Sequence, residues 1–174
     1  LKLLPDHEDR PIVELELIGE GAYRSPPGMI LNMSPRDETG QYFIMQMGGT
    51  YLFTIKRRYD LVIRNNSKNN AYSLTLYNLN TGYPIQFKTK YNPLEPLTID
   101  KPLKLEVSYE INRPMTHDDA EKIMQAKIPE DLRGLVIIAQ YKSESRKTYF
   151  TKFTPLNVNE HINKAPNLSH YDKI

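Results

Sequence analysis

Between residues 12 and 18 the chain alternates, with Val13, Leu15 and Leu17 on one parity and Glu14 and Glu16 on the other. A period of two sends successive side chains to opposite faces of an extended backbone, so this stretch reads as a half-buried strand at or near a sheet edge. The same signature, β-branched and aromatic residues between turn formers, recurs at 29–33, 41–47, 51–56, 59–64, 72–79, 85–89, 103–111, 135–142 and 147–153. So many strands in 174 residues predict an all-β fold of two packed antiparallel sheets. Turn chemistry separates them at Ser25-Pro26-Pro27-Gly28, at 34–37, at Gly48-Gly49, in the Asn-rich loop 65–70, at 80–82 and at Asn92-Pro93. The apolar phases assign Val13, Leu15, Leu17, Leu61, Ile63, Leu74, Leu76, Leu105, Val107, Val136, Ile138 and Tyr141 to the core. The loop 65–70 holds no glycine, which predicts a residue with positive φ there, Asn tolerating that region best.

One segment departs from the alternation. Residues 116–127 open on Thr116, carry acids in the first turn and stop before Pro129, which predicts one short helix with Ala120, Ile123, Met124 and the aliphatic stem of Lys127 as its apolar stripe. From Pro155 to the end the chain is polar, Asn-rich and aperiodic. It reads as an extended C-terminal tail, 155–174, attached to a single sandwich domain over 1–154, with extra strands in 1–55. Ile162, Leu168, Tyr171 and Ile174 are spaced to anchor that tail on a groove or an open sheet edge, and its removal is expected to leave the thermal midpoint within a few degrees while weakening self-association or partner capture.

Composition narrows the chemistry. A net charge of +2 lacks the excess of a dedicated nucleic-acid binder, and zero cysteines exclude disulfides, thiolate metal sites and thiol catalysis. The first residue is Leu1, which predicts a segment upstream: a signal peptide, a membrane anchor or a disordered start. The Asn-x-Ser triplets at Asn32, Asn65 and Asn167 read as chance in an Asn-rich chain.

The run from Tyr59 through Arg64, Asn65 to Asn70, and Ala71-Tyr72 into 73–76 ends a strand on Asn, makes a small loop and opens the next strand on an Ala-aromatic pair. With 97–107 and 137–153 it resembles immunoglobulin-like β-sandwich domains of bacterial and archaeal envelope proteins. The resemblance implies an immunoglobulin-like antiparallel sandwich, here with the helix 116–127 inserted, and a cell-envelope setting, periplasmic or anchored through a membrane segment upstream of Leu1. It implies no reaction. The missing Cys pair and Trp exclude an antibody-type domain.

Ile18-Gly19-Glu20-Gly21-Ala22-Tyr23 matches the start of a kinase glycine-rich loop, but Arg24 stands where the third glycine belongs and no other kinase motif follows, so a strand end with a glycine turn is the expectation. Aromatic and basic residues interleave at Tyr51, Phe53, Lys56, Arg57, Arg58 and Tyr59, and again over 141–153. They suit either a stacking surface or strands with aromatic cores and basic exteriors, and the weak net charge favours the second. His7, His117, His161 and His170 have no ligand-type spacing, and His117-Asp118-Asp119 reads as a solvated helix start, so no metal or cofactor is expected. The leading functional expectation is a non-catalytic interaction or structural domain of an envelope assembly, with a protein partner or self-association. Its contact residues are Tyr51, Phe53, Lys56, Arg57, Arg58, Tyr59, Ile162, Leu168 and Tyr171. The alternatives are a sensor holding a small ligand or nucleotide signal between Arg57, Arg58 and nearby tyrosines, and a hydrolase with an unmarked site.

Overall fold

The computed structural model describes residues 9–25, 33–36, 42–44, 50–79 and 82–174, of which 33–36 and 42–44 are described by their backbone alone. The chain runs β1 (Val13–Arg24), β2 (Met33–Arg36), β3 (Tyr42–Ile44), β4 (Tyr51–Asn65), β5 (Tyr72–Leu79), β6 (Ile85–Phe87), β7 (Leu103–Met115), α1 (His117–Gln125), a 3-10 turn (Glu130–Leu132), β8 (Ile137–Lys142), β9 (Thr148–Thr154), β10 (Val158–Ile162) and β11 (Tyr171–Lys173). Sheet one has the order β1-β4-β7-β6 and sheet two β10-β9-β8-β5-β11; all their pairings are antiparallel, and β2-β3 form a separate ladder. The protein is thus an all-β sandwich with one α-helix.

The core follows the alternation. Val13, Leu15 and Leu17 of β1, Leu61 and Ile63 of β4, Leu105 and Val107 of β7, and Leu74 and Leu76 of β5 are buried in one cluster. On β8 the expected phase shifts. Ile137, Ala139 and Tyr141 enter the cluster, Ile138 is buried on the opposite face, and Val136 is only half-buried. The helix is capped by Thr116, whose Oγ1 accepts from Asp119 N at 3.2 Å, and Ala120 is its buried residue.

Several boundaries move, each for a visible reason. The expected strands 51–56 and 59–64 are one continuous strand, because β7 supplies a ladder partner for every residue from Tyr51 to Ile63. Gly19 to Tyr23 are not a turn: β1 runs on to Arg24, and a bulge between Gly19 and Gly21 absorbs the glycines, so no phosphate-cradling loop exists there. Ser34, Pro35 and Arg36, expected as a turn, lie in β2. The expected strand 29–33 and the Gly48-Gly49 turn fall, but for Met33, outside the described residues. The loop 65–70 contains no positive φ; such residues are Ser73, Arg146, Leu156 and Asn157 among the non-glycines. Asn65 shapes the loop instead. Its Oδ1 accepts from Ser67 N (3.1 Å) and Oγ (2.9 Å), and its Nδ2 donates to the carbonyls of Asn69 (2.6 Å) and Leu97 (2.9 Å).

Residues 155–174 belong to sheet two. β10 extends β9 on one edge, while β11 pairs with β5 on the other. Eight residues, 163–170, join the two edges, which lie four strand spacings or about 19 Å apart; this strap could reach ~30 Å and takes up the slack in bends and in a turn where Tyr171 N donates to Leu168 O. The inner face of sheet two is filled by the core, and its outer face carries two buried apolar residues. There Ile138 (1% exposed) and Phe150 (5%) are buried although both point away from the sandwich interior. Pro166 and Leu168 of the strap are half-buried, and Arg10 holds its start by donating to Asn163 Oδ1. The expected extended tail thus contains two edge strands of sheet two.

Candidate functional site

The two sides of the sandwich, where sheet edges face each other, are built differently. On one side β1 meets β9 and β10. β1 gives its inward ladder to β4, which leaves the amides and carbonyls of alternate residues facing the edge. Side chains from sheet two take them: Asn159 Oδ1 accepts from Leu15 N (2.9 Å), Asn159 Nδ2 donates to Leu15 O (2.9 Å), Asn157 Oδ1 accepts from Leu17 N (3.0 Å) and Thr151 Oγ1 donates to Val13 O (2.7 Å). The β9–β10 turn places Asn157 in the left-handed region (φ 62°), beside Leu156 (φ 72°).

On the other side, β6 and β11 are edge strands of three residues each, and a groove of about 860 Å³ lies between them. Its floor is Ile85, Phe87, Tyr91 and Ile174, half-buried and packed against the core. Lys88, Lys90, Lys173 and Asp172 line it and are exposed. Asn78, which follows Leu74 and Leu76 in the inward phase of β5, also lines the groove, and its Oδ1 is buried without a hydrogen-bond partner. Tyr91 Oη accepts from Leu76 N at 2.8 Å, and burial pushes the Tyr91 phenol above its ordinary pKa.

A second polar cluster sits where the long strands of sheet one run under α1. Arg57, in the inward phase of β4, donates from Nη1 to the carbonyls of Ile123 (3.0 Å) and Ala126, the unpaired acceptors at the helix C-terminus. Its guanidinium lies 5.1 Å from the Tyr59 ring centroid. Tyr59 is fully buried with its hydroxyl unpartnered, and burial raises its pKa to about 12, against an opposing pull from Arg57. Tyr109 donates to Asp131 Oδ2 (2.8 Å), and Arg113 Nη1 reaches the same carboxylate at 3.1 and 3.2 Å. Burial first, then that carboxylate, raises the Tyr109 pKa. A groove of about 840 Å³ opens beside Arg113, Asp131, Lys122 and Arg133. Arg57 and Asp131 are thus engaged in fastening the helix and the 3-10 turn to the sheet.

The contact residues expected from sequence are dispersed. Tyr51, Phe53 and Tyr59 are core residues, which removes them from any contact surface; Tyr51 and Phe53 pack edge-on against His117, with centroids at 5.0 and 5.3 Å. Lys56 and Arg58 point to the outer face of sheet one, where Lys56 pairs with Glu110 (3.7 Å), while Arg57 points inward, so the two arginines do not converge on a ligand. Ile162, Leu168 and Tyr171 are half-buried on sheet two and its strap. His161 lies 3.6 Å from Glu14, and no group of three or more potential metal ligands occurs among the described residues. Tyr109 and Arg113, and the groove residues Asn78, Lys88, Lys90 and Lys173, escaped the sequence reading, and the Glu130-Asp131 pair reads from sequence only as solvated turn acids. One signal was present: Arg57 and Arg113 occupy the apolar phase of strands whose neighbours at two-residue spacing are core.

Comparison of the chain with protein-family models, with curated proteins and with solved structures gave no match.

Proposed function

We propose that this protein is a non-catalytic interaction domain that works by holding a partner in the groove between β6 and β11. The asymmetry of the sandwich carries this reading. One side is closed by four side-chain-to-backbone hydrogen bonds, while the other leaves, among the described residues, an apolar floor, an unpartnered acceptor and two short strand edges facing a groove. The phenols with shifted pKa values move upward by burial, which keeps them neutral near physiological pH rather than poised for proton transfer. The likeness of 59–76, 97–107 and 137–153 to envelope sandwich domains adds the setting, an assembly at the cell envelope.

A photo-crosslinking amino acid at Lys88 or Lys173, compared with one at Glu16 on the outer face of sheet one, tests the reading in cells of the native host. Discrete adducts from the groove positions and none from Glu16 are expected. No adduct from the groove, or the same products from Glu16, overturns it.

A further inference from the structure

We infer that the groove between β6 and β11 takes a partner's extended segment whose side chains alternate apolar and acidic, added as a strand to β11. This rests on the interaction reading above and specifies its partner.

The backbone supplies the first argument. Ile174 N donates to Leu76 O, so in this antiparallel ladder the Asp172 and Ile174 amides face β5 and the Lys173 N–H and C=O face outward. Across the groove, Lys88 N donates to Glu106 O and Gln86 pairs with Ser108, which turns the Phe87 N–H and C=O outward as well. Two strand edges therefore present free ladder groups to the same cleft, the arrangement that strand addition uses.

The side chains supply the second. An added strand sends alternate residues to opposite sides. Toward the protein they meet Ile85, Phe87 and Ile174, an apolar floor; Asn78 Oδ1, buried and unpartnered, stands ready to accept a donor. Away from the floor they meet Lys88, Lys90 and Lys173, whose ammonium groups form no ion pair among the described residues, against a single acid, Asp172. Among the described residues Lys88 Nζ donates to Gln86 Oε1 alone, at 2.6 Å. Cations without an ion pair among the described residues occur elsewhere too, Arg58 on the outer face of sheet one among them, but the groove sets three of them against one acid over an apolar floor, and the complementary occupant is acidic.

Three end-capped eight-residue peptides test this on the full chain: Val alternating with Glu, Val with Ser, and Val with Lys; single-stranded oligothymidylate is the competing polyanion. The Val/Glu peptide is expected to bind at least tenfold more tightly than the others, to weaken with added salt, and to slow amide exchange at Lys173. The double variant Lys88→Glu/Lys173→Glu, on the surface and so folded as the parent, is expected to reverse the preference toward the Val/Lys peptide. Equal binding of the Val/Glu and Val/Ser peptides, tighter oligothymidylate binding, or slow Lys173 exchange in the free protein overturns the inference. Groove crosslinks in the host combined with equal peptide binding would leave the interaction reading standing and remove only the acidic partner; absent crosslinks remove both.

Discussion

The side-chain amide of Asn159 takes both backbone groups of Leu15, accepting from its nitrogen and donating to its oxygen, each at 2.9 Å, and so stands where a neighbouring strand would stand. Sheet one is stitched to sheet two through this amide without a continuous ladder between them. Asn159→Ala leaves two half-buried backbone groups unpartnered and is expected to cost about 1–3 kcal/mol. Asn159→Asp is expected to be no better, since a carboxylate can accept from Leu15 N but sets an oxygen against Leu15 O. Urea midpoints of the two variants check this, and an Asn159→Ala midpoint equal to the parent's would show the amide to be dispensable.

Tyr59 and Tyr109 are both buried phenols in neighbouring strands, yet only Tyr109 has a partner for its hydroxyl. Removing an unpartnered buried hydroxyl relieves a desolvation penalty, whereas removing one bonded to a carboxylate forfeits about 1.5–3 kcal/mol. Tyr59→Phe should therefore match or exceed parental stability, and Tyr109→Phe should fall below it. Thermal melts of the pair read the difference directly.

Alkaline stability follows from the same tyrosines. A folded-state pKa of about 12 for Tyr59 lies above its ordinary value of 10.0, so the native state holds a proton that the unfolded state gives up first. The stabilisation is complete below pH 10 and is lost as pH rises from 10 toward 12; Tyr91, Tyr109 and Tyr171 shift in the same direction. Denaturation midpoints should hold level up to about pH 9 and then fall, with a shallower fall in Tyr59→Phe. An equal slope in parent and variant would contradict the assignment.

The strap is expected to be structural. Ending the chain at Ile162 removes β11, its ladder to β5 and the packing of Ile174 on the core, so the truncated protein should melt well below the parent and bind a hydrophobic dye. Substituting Leu168→Ser alone should give a smaller shift in the same direction. Unchanged melting of the truncated chain would show that β11 is dispensable to the fold.

Arg57 ties α1 to β4 through the carbonyls of Ile123 and Ala126. Arg57→Met keeps much of the aliphatic stem and loses both bonds, which is expected to cost about 1–3 kcal/mol and to open the 126–129 link to proteolysis before the sandwich unfolds. Limited proteolysis followed by mass analysis locates the first cut, and a first cut elsewhere would count against the tether.

The two-sheet fold, the helix with its Thr116 cap and most of the core were legible in the sequence because each depends on local periodicity. Val13, Leu15 and Leu17 alternate with glutamates whatever they pack against. Chain pairing decided the rest. The Lys56-Arg57-Arg58 run reads as an interruption until β7 is alongside, when Arg57 proves to be in phase and faces a helix end. β10 and β11 have almost no pattern of their own, since edge strands draw their order from β9 and β5 and need no alternating apolar face. The β6–β11 groove is more remote still: Asn78, Lys88 and Lys173 are far apart in the chain and meet only because β11 closes the sheet at the edge opposite β10. Sequence determines which residues seek burial, through the cost of leaving apolar surface in water; which strand edges remain open depends on the order in which the strands pair.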